Sequence, residues 1–587
     1  MGKKPGSFHY HLRLLKHYLS GQSWTVAGMA IFLIVDILLQ VFAPQIARSF
    51  IDKALAGSGG QILIATALWF IGISLFQPFT KILATYLSEQ VAWRSTNAMR
   101  VDLASHLMQL DLDFHIQHSP GELIERVDGD INTLARFFSS FVVQLFGSVL
   151  LLAGVLISFF TIDAWLAISF TVFSLISLLF LGWLRKFGTS FWQADRESSA
   201  VYFGYLGEVL TATEDIRSNG AVRYALSRLS DLMRQWIPVG LKADLWGNTL
   251  WMSAVMIFAV GDAMAFWMGG HLFKAHEITI GTVYLIIAYT VMLAAPLETI
   301  RSELQDFQKA DAAIIRIEKL FGTRSRLRDG DASLPSGALA AEFRSVHFCY
   351  RLFGDDTTPP EVLRNVNFQL EKGSVLGIAG RTGSGKTTIA RLLFRQFDPV
   401  QGKVLLDGVD LRQAKLKSVR SMVGFVTQDV RIFEATLRDN LTFFEEGISD
   451  RYLLQVLETL GLKPWVNHLP QGLETVISAS SLSAGEAQLL SLARVFMKDP
   501  GLIILDEASS RLDPATEVLL ERALDQLLKG RTTILIAHRL ATLNRADNIL
   551  VLEQGKVVEQ GLRSHLAADE NSRYSKLLKM SAGEVLS

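Results

Sequence analysis

The sequence predicts a multidomain chain in which an all-α domain of six transmembrane helices precedes an α/β domain that carries a helical subdomain. Apolar residues form long runs before about residue 300, and only strand-length or helix-length patches after it. Half of the 587 residues are hydrophobic and the mean hydropathy is +0.29, which is high for a soluble protein of this size. A strand, a glycine-rich loop and a helix follow one another at residues 373–395. These three observations indicate a membrane half followed by a soluble half.

Six apolar segments in the first half are each long enough to cross a hydrocarbon core of about 30 Å. A short turn separates the third segment from the fourth, so these two form a hairpin. Residues 8–20 mix apolar and basic side chains, which is typical of an amphipathic helix at a membrane surface. The six predicted spans are residues 24–47, 61–87, 137–160, 163–183, 247–270 and 280–300.

Basic residues decide the orientation of these spans in the lipid bilayer. The connection between the fourth and fifth spans is rich in arginine and lysine, whereas two of the predicted outer loops offer only Lys53 and Lys274. Cytoplasmic loops carry the excess of basic residues, so we expect both termini and the long polar connections in the cytoplasm. Those connections also have helical periodicity, which predicts that the helices continue beyond the bilayer.

Three carboxylates interrupt the spans: Asp36, Asp262 and Glu298. An ionised side chain inside a membrane is costly, so each is expected to face the bundle interior or a water-filled cavity. Contact with a transported substrate and a hydrogen bond between helices are the two alternatives. Both stay open for Asp36, whereas Asp262 and Glu298 lie near predicted span ends, where we favour the hydrogen bond.

Overall composition excludes some classes of function. The 57 basic and 57 acidic residues balance, so net charge offers no argument for a nucleic-acid partner, and we expect none. The single cysteine, Cys349, excludes an intramolecular disulfide and a cysteine-cluster metal site.

The loop GRTGSGKTT fits the pattern G-x-x-x-x-G-K-[ST] and lies between an apolar strand and a helix, as a phosphate-binding loop requires. Its glycines let backbone N–H groups approach a phosphate, and the helix N-terminus and Lys386 add positive charge. A glycine-rich turn with an incidental lysine is the alternative. We assign nucleotide contacts to the whole loop, which comprises Gly380, Arg381, Thr382, Gly383, Ser384, Gly385, Lys386, Thr387 and Thr388.

Further strands surround this loop in the soluble half. Residues 339–351 alternate like an edge strand, and later apolar runs separated by helical stretches predict a largely parallel, helix-covered sheet. Residues 431–480 are helical in pattern and predict an inserted helical subdomain. The strand GLIILDEAS ends in Asp506 and Glu507, which suits Asp506 for holding Mg²⁺ and Glu507 for polarising an attacking water. A strand that simply exits into a polar turn is the alternative.

In this order the motifs resemble the nucleotide-binding domain of ATP-binding cassette (ABC) transporters. Six spans before such a domain resemble an exporter-type half-transporter, and the resemblance covers essentially the whole chain. It implies that Tyr350 stacks on adenine, that Gln428 senses Mg²⁺ and water, and that His538 contacts the γ-phosphate of ATP. Asp513 falls at the loop that crosses between two such domains, and residues 111–131 resemble the first intracellular loop with its coupling helix. The implied catalytic residues are Lys386, Gln428, Glu507 and His538, and the implied Mg²⁺ contacts are Thr387, Gln428 and Asp506.

The sequence departs from the family at residues 482–488, LSAGEAQ, where the usual signature is L-S-G-G-Q-R-Q. Ser483 and Gly485 are kept as γ-phosphate contacts to the opposing subunit, but Ala484, Glu486 and Ala487 replace glycine, glutamine and arginine. Ser483 and Glu486 fit a capping box, so a well-formed helix start is still expected. The methyl group of Ala484 narrows the space through which the γ-phosphate of the opposing subunit's ATP approaches, and Glu486 adds an anion there. These two changes predict that the ATP site completed by this signature is weakened. We therefore favour a heterodimer with a second half-transporter, with a homodimer as the alternative.

The expected function is a primary active exporter that binds ATP and Mg²⁺ and alternates between inward-open and outward-open states. Its substrate is expected to be an amphipathic or hydrophobic drug, lipid or peptide. An importer on the same fold, and a nucleotide-gated channel or regulator, are the alternatives. The expected location is the bacterial plasma (inner) membrane, with the nucleotide-binding domain in the cytoplasm. The predicted domains are 1–320 in the membrane, a linker at 321–340 and the nucleotide-binding domain at 341–587.

Overall fold

The computed structural model describes residues 18, 20–137, 139, 142–350, 360–427, 430–506, 514–536 and 540–584. Within these residues the chain divides into two compact units. The first contains Met1–Met108 and Gly121–Thr323, and the second contains Gln109–Pro120 and Arg324–Ser587. Nearly all of the predicted surface helix at residues 8–20 lies outside the described residues.

The first unit is all α-helical, and six of its helices are long and apolar enough to cross a membrane. As predicted, the helices continue well beyond a bilayer at the long connections, since Gly60–Gln109, Ala164–Thr211 and Val222–Lys274 have 50, 48 and 53 residues, and so does the last helix, Ile280–Gly322, with 43. A π-helical turn spans Glu125–Asp130. The helices up to the linker are α1 Ser23–Leu55, α2 Gly60–Gln109, α3 Leu112–Gln117, α4 Pro120–Ile124, α5 Ile131–Arg136, α6 Val142–Phe160, α7 Ala164–Thr211, α8 Thr213–Ser218, α9 Val222–Lys274 and α10 Ile280–Gly322.

Side chains cap the outer ends of these helices. Asp163 accepts a hydrogen bond from Leu166 N at 2.9 Å and caps the start of α7, which only three residues separate from the end of α6. Asp52, near the end of α1, accepts from Gly281 N at 2.9 Å and from the Thr279 hydroxyl at 2.8 Å. Asp52 therefore satisfies one backbone donor and one hydroxyl at the start of α10 and ties the first span to the sixth.

The three carboxylates within the spans have different surroundings. Asp36 is buried and accepts hydrogen bonds from Gln40 Nε2 at 2.7 Å and from Gln77 Nε2 on α2 at 2.8 Å. The helix-to-helix hydrogen bond considered for Asp36 is therefore present. Asp262 and Glu298 are half-buried, in α9 and α10 respectively.

An ionic cluster joins the cytoplasmic continuations of the spans. Asp130, buried at the end of the π-helical turn, accepts from Arg316 Nε on α10 at 2.9 Å and from Arg316 Nη2. Arg126 Nη1 also reaches Asp130, at 3.3 Å. The hydrogen bond to Asp130 raises the pKa of Arg316 above its ordinary value. The π-helical turn thus presents a buried carboxylate to two guanidinium groups.

The second unit contains three sheets in its described residues. A six-stranded sheet has the order β12-β11-β3-β10-β9-β6 and is parallel except for β12, which confirms the predicted, largely parallel sheet. An antiparallel sheet has the order β2-β1-β4-β5, and β7 pairs with β8. The strands are β1 Ala341–Phe348, β2 Leu363–Leu370, β3 Val375–Ala379, β4 Gln401–Leu406, β5 Val409–Asp410, β6 Val423–Val426, β7 Ala435–Thr436, β8 Val476–Ile477, β9 Leu502–Asp506, β10 Thr532–Ile536, β11 Asn548–Glu553 and β12 Lys556–Leu562.

The predicted edge position of β1 is wrong. Strand β1 lies between β2 and β4 and pairs antiparallel with both. Its alternation has another cause: Phe343, Val346 and Phe348 pack into the core while the residues between them point away. An antiparallel sheet with one covered face gives this pattern on interior strands as well as on edges.

Helices cover the six-stranded sheet, and a helical subdomain is inserted between β6 and β9, as predicted. This subdomain also contains the short β7–β8 pair, which the sequence pattern had not suggested. Arg438 within it donates to Glu474 at 2.7 Å and pairs with Asp450 at 2.6 Å. The helices are α11 Lys386–Leu393, α12 Leu416–Met422, α13 Leu437–Thr442, α14 Asp450–Thr459, α15 Lys463–His468, α16 Ala484–Lys498, α17 Pro514–Leu528, α18 Arg563–Ala568 and α19 Arg573–Glu584.

A buried arginine fastens the linker onto the second unit. Arg395 is only 1% exposed and donates to the carbonyls of Ala414 and Arg328, each at 2.7 Å. Its Nε also reaches Asp398 Oδ1 at 3.1 Å. Arg328 belongs to the linker, so one guanidinium joins three segments that are far apart in sequence.

Replacing this arginine tests its role. Arg395→Met leaves the buried carbonyl of Ala414 and the part-buried carbonyl of Arg328 without this donor, and we expect the free energy of unfolding to fall by about 2–4 kcal/mol and the melting temperature by roughly 5–10 °C. Cys349 is the only cysteine and lies in the second unit, so a thiol-reactive fluorophore in a thermal ramp reports on this unit. Arg364→Met, at an exposed position on β2, is the control. Equal melting temperatures for the two variants would contradict the assignment.

Candidate functional site

Parallel strands bring the candidate residues to one edge of the six-stranded sheet. Strand β3 ends at Ala379 directly before the phosphate-binding loop, and Ile378 lies opposite Ile536 on β10. Ile536 in turn lies opposite Asp506 at the end of β9. Because carboxyl ends of parallel strands meet at one edge, the loop, Asp506 and the end of β10 lie side by side.

The phosphate-binding loop needs glycine at its first and last fixed positions. Gly380 has φ 151° and Gly385 has φ 107°, which side chains rarely adopt. A Cβ atom on Gly380 would lie 2.3 Å from the carbonyl oxygen of Leu552, and one on Gly385 would lie 2.7 Å from Leu363 Cδ2. Both conformation and space therefore exclude larger residues, and the backbone is free to line a ligand.

Two polar side chains of the loop are buried. Lys386 is 4% exposed, and its ammonium donates to the carbonyls of Gly380 at 2.7 Å and Arg381 at 3.0 Å. Ser384 is 5% exposed, and its hydroxyl has no hydrogen-bond partner within the described residues. A buried hydroxyl without a partner is unfavourable unless a ligand supplies one. This orphaned group fits a phosphate oxygen.

The remaining residues of the loop are less enclosed, except for one threonine. Arg381, Thr382 and Gly383 are exposed, Thr387 is half-buried and Thr388 is buried. Asp506 is 6% exposed at the neighbouring strand end. Gln428, Glu507, His538 and Asp513 lie outside the described residues; in sequence, the first three come within two residues of the ends of β6, β9 and β10.

Tyr350 lies beside the helix that starts with Lys386. Its hydroxyl is 3.0 Å from Thr388 Oγ1 and accepts a hydrogen bond from Arg391 Nη1 at 3.2 Å. Its ring meets Phe348 and Phe397 edge-on, with centroids 4.9 and 5.4 Å away. The structure therefore brings the candidate adenine-stacking ring next to the phosphate-binding helix, and it adds Arg391, which the sequence analysis did not identify.

The signature residues begin α16 with the predicted capping box. Ser483 Oγ accepts from Glu486 N at 3.3 Å, and Glu486 Oε2 accepts from Ser483 N at 2.7 Å. The other carboxylate oxygen, Oε1, accepts from Trp465 Nε1 on α15 at 2.8 Å. Gly485 is buried, whereas Ala484 is exposed. No hydrogen bond joins Ser483 or Gly485 to the phosphate-binding loop in the described part of the chain.

Trp465 was missed by the sequence analysis because it lies 21 residues before its partner, in a segment without a recognised motif. Arg494 on the same helix α16 donates to the carbonyls of Asn440 at 2.7 Å and Arg431 at 3.0 Å. Burial lowers the pKa of Arg494 to about 10. Trp465 of the helical subdomain therefore holds the start of the signature helix, and Arg494 near its end binds backbone carbonyls of that subdomain.

Fold and site together define a P-loop ATPase domain joined to a six-helix membrane domain. The ABC transporter family model matches residues 363–510, and the ABC transporter transmembrane region model matches residues 26–297. An uncharacterised ABC transporter ATP-binding protein of Bacillus subtilis (strain 168), YknV, is 31% identical over 563 residues, which are 94% of this chain and 90% of that protein. The chain therefore belongs to the ABC transporter family.

Two further comparisons agree with this assignment. A multidrug resistance ABC transporter ATP-binding and permease protein of Lactococcus lactis subsp. lactis (strain IL1403) is 27% identical over 542 residues, covering 91% of this chain and 90% of that protein. The structure of a bacterial Atm1-family ABC exporter with ATP bound superimposes with a TM-score of 0.80 at 23% identity, covering 95% of this chain and 98% of that one. The chain is a multi-pass membrane ATPase that binds ATP and couples its hydrolysis to transport.

The unpartnered hydroxyl of Ser384 gives a testable prediction. Ser384→Ala should weaken ATP binding about tenfold, because a hydrogen bond to a charged phosphate is lost, without lowering the stability of the nucleotide-free protein. Ser374→Ala is the control, because Ser374 lies outside the loop and its Oγ already donates to the carbonyl of Glu371 at 2.7 Å. This variant should keep its affinity for ATP. Fluorescent-nucleotide titration and thermal unfolding measure the two effects. Unchanged ATP affinity in Ser384→Ala would remove this hydroxyl from the site.

Proposed function

We propose that this protein exports an amphipathic or hydrophobic compound by alternating access. The observation that carries the proposal is the convergence of the glycine loop, Lys386 and Asp506 on one sheet edge in a chain with six spans. The cytoplasmic orientation of the basic loops, and relatives that include a multidrug resistance transporter, support export.

At the ATP site the residues have separate roles. Backbone groups of residues 380–388 and the ammonium of Lys386 hold the phosphates, and Tyr350 holds the adenine. The Thr387 hydroxyl, Asp506 and Gln428 suit Mg²⁺, because hard cations prefer oxygen ligands. Glu507 polarises the attacking water and His538 contacts the γ-phosphate. Catalysis then consists of positioning and charge stabilisation.

We also assign the completed ATP site to two polypeptides. Ser483 and Gly485 contact the ATP bound at the phosphate-binding loop of a second half-transporter. The signature of that second half-transporter contacts the ATP bound at the loop of this chain. Glu486 places a carboxylate at the start of α16, where an anionic phosphate would otherwise gain from the helix N-terminus. Ala484, exposed beside it, adds a methyl group at the approach. This composition favours a heterodimer, in which the partner carries the regular signature.

Two other functions compete with export. An importer on this fold would move substrate in the opposite direction, and a nucleotide-gated channel or regulator would not pump. Glu507 and His538 in the sequence favour turnover over gating alone. The direction of transport distinguishes an exporter from an importer.

Vesicle transport tests the function directly. In inverted membrane vesicles, a fluorescent dye, a fluorescent lipid analogue and a labelled peptide should show accumulation of at least one probe upon ATP addition outside. Glu507→Gln should retain ATP binding but lower turnover by roughly 10²- to 10⁴-fold, because the water loses its general base. Accumulation only in right-side-out vesicles with ATP inside would establish import. Equilibration without accumulation would establish a channel, and near-normal turnover in Glu507→Gln would remove that residue from its role.

Restoring the usual signature tests the subunit arrangement. The purified chain alone should hydrolyse ATP slowly. The double variant Ala484→Gly with Glu486→Gln should hydrolyse ATP about tenfold faster, because it removes the carboxylate and the methyl group from the place where the phosphate approaches the helix start. Glutamine keeps one acceptor oxygen, which can bind the backbone N–H of Ser483 and so preserve the capping box, while the hydrogen bond from Trp465 is lost. Glu446→Gln, at an exposed position of the helical subdomain, is the matched control. Full, transport-coupled ATPase activity of the unchanged chain by itself would contradict the heterodimer.

A further inference from the structure

A polar cavity of ≈ 370 Å³ lies inside the membrane unit. Helices α1, α2, α6 and α10 line it, together with the segment just before α6. Most of the residues that line the cavity are apolar or neutral polar. Three ionisable side chains also face it, namely Asp36, Lys81 and Glu89. Asp36 and Lys81 lie within predicted spans, where charged groups are rare and typically serve a pathway or a ligand, and Glu89 lies just beyond its span.

Asp36 is the most enclosed of the three. It is 4% exposed, while Lys81 and Glu89 are exposed. The amides of Gln40 and Gln77, at 2.7 and 2.8 Å, each donate to one of its two oxygens. Two neutral donors solvate the carboxylate partly but leave its charge uncompensated.

A hydrogen bond between α1 and α2 does not by itself require an acid at position 36. Asparagine or serine would accept from Gln77 without the cost of a buried charge. The carboxylate therefore provides a negative potential inside the cavity in addition to a link between helices.

The charges around the cavity do not cancel. In the described part of the chain, none of the three side chains has an oppositely charged group within 4.0 Å. Two carboxylates and one ammonium leave a formal charge of −1 on the lining. A monovalent cation would neutralise the cavity, whereas an anion would double the imbalance.

The cavity lies towards the cytoplasmic side of the membrane unit. With a rise of about 1.5 Å per residue, Asp36 lies roughly 29 Å from the outer end of α1, and Gln77 roughly 26 Å from the outer end of α2. Both positions are beyond the middle of a core about 30 Å thick. A compound that partitions into the cytoplasmic leaflet therefore reaches this depth.

We propose that the cavity is a binding site for an amphipathic monocation, whose charge pairs with Asp36 and whose apolar body packs against Leu33, Ile37, Val143 and Leu151. Glu89, about three helical turns beyond Gln77 on α2, adds negative potential along the entry side, and Lys81 weakens the site. The inference rests on the proposed export function, since it names the charge class of the substrate.

Equilibrium binding tests this site without ATP hydrolysis. The full-length protein in phosphatidylcholine nanodiscs is titrated with tetraphenylphosphonium and with tetraphenylborate, which have the same shape and opposite charge. We expect wild type to bind the cation at least tenfold more tightly than the anion. Asp36→Asn, which keeps an oxygen acceptor for Gln77, should bind the cation about tenfold more weakly. Lys81→Gln should bind it several-fold more tightly, which a purely structural role of Asp36 does not predict.

Asp262→Asn is the matched control, because Asp262 is a half-buried carboxylate of α9 that does not line the cavity. Its affinity for the cation should equal that of wild type. Equal cation affinities in wild type, Asp36→Asn and Lys81→Gln would overturn the proposal, as would tighter binding of the anion. If Asp36→Asn does not fold, the Lys81→Gln result decides alone.

The outcome separates this inference from the export function. A protein that pumps a compound in vesicles but shows no preference for the cation overturns the charge assignment only. A protein with Asp36-dependent cation binding but no ATP-driven accumulation supports the site and overturns export.

Discussion

The parallel register of four strands is the constraint on which the nucleotide site depends. Strands β3, β10, β9 and β6 run side by side, so segments separated by more than a hundred residues end at one edge. The phosphate loop follows the first of these strands, and Asp506 ends the third. A shift in register would separate the lysine from the carboxylate even if every motif were kept. The packed faces of the sheet oppose such a shift, because each strand is buried.

The start of the signature helix illustrates how one carboxylate serves local structure and limits function. Glu486 caps its own helix through Ser483 and accepts a hydrogen bond from Trp465, so both oxygens are engaged within the chain. These contacts stabilise the helix start, yet they also fix an anion where the family places a neutral amide. In the proposed heterodimer, stability of the subdomain and affinity for a partner's phosphate oppose each other at this residue, and the partner's regular signature supplies a site without that conflict.

In the membrane unit, some carboxylates bind helix ends or arginine side chains, whereas Asp36 faces a cavity. Asp52 and Asp163 satisfy backbone donors at the outer helix ends, and Asp130 is held by two arginines beyond the cytoplasmic side. Asp36 differs because only amides contact it and it faces a cavity. The same residue type thus has a structural role where backbone or guanidinium groups surround it, and the proposed binding role at Asp36, where only neutral amides do.

The sequence by itself determined the six spans, the phosphate loop, the strand ending in Asp506 and the capping box of α16, because each depends on residues close together in the chain. It did not determine that β1 is an interior strand, since alternation reports one covered face and not the number of neighbours. Tertiary structure alone decided that Tyr350 lies beside Thr388, that Trp465 holds Glu486 and that Gln77 reaches Asp36. These contacts join residues 21 to 41 positions apart. Their geometry follows from packing, which no local pattern records.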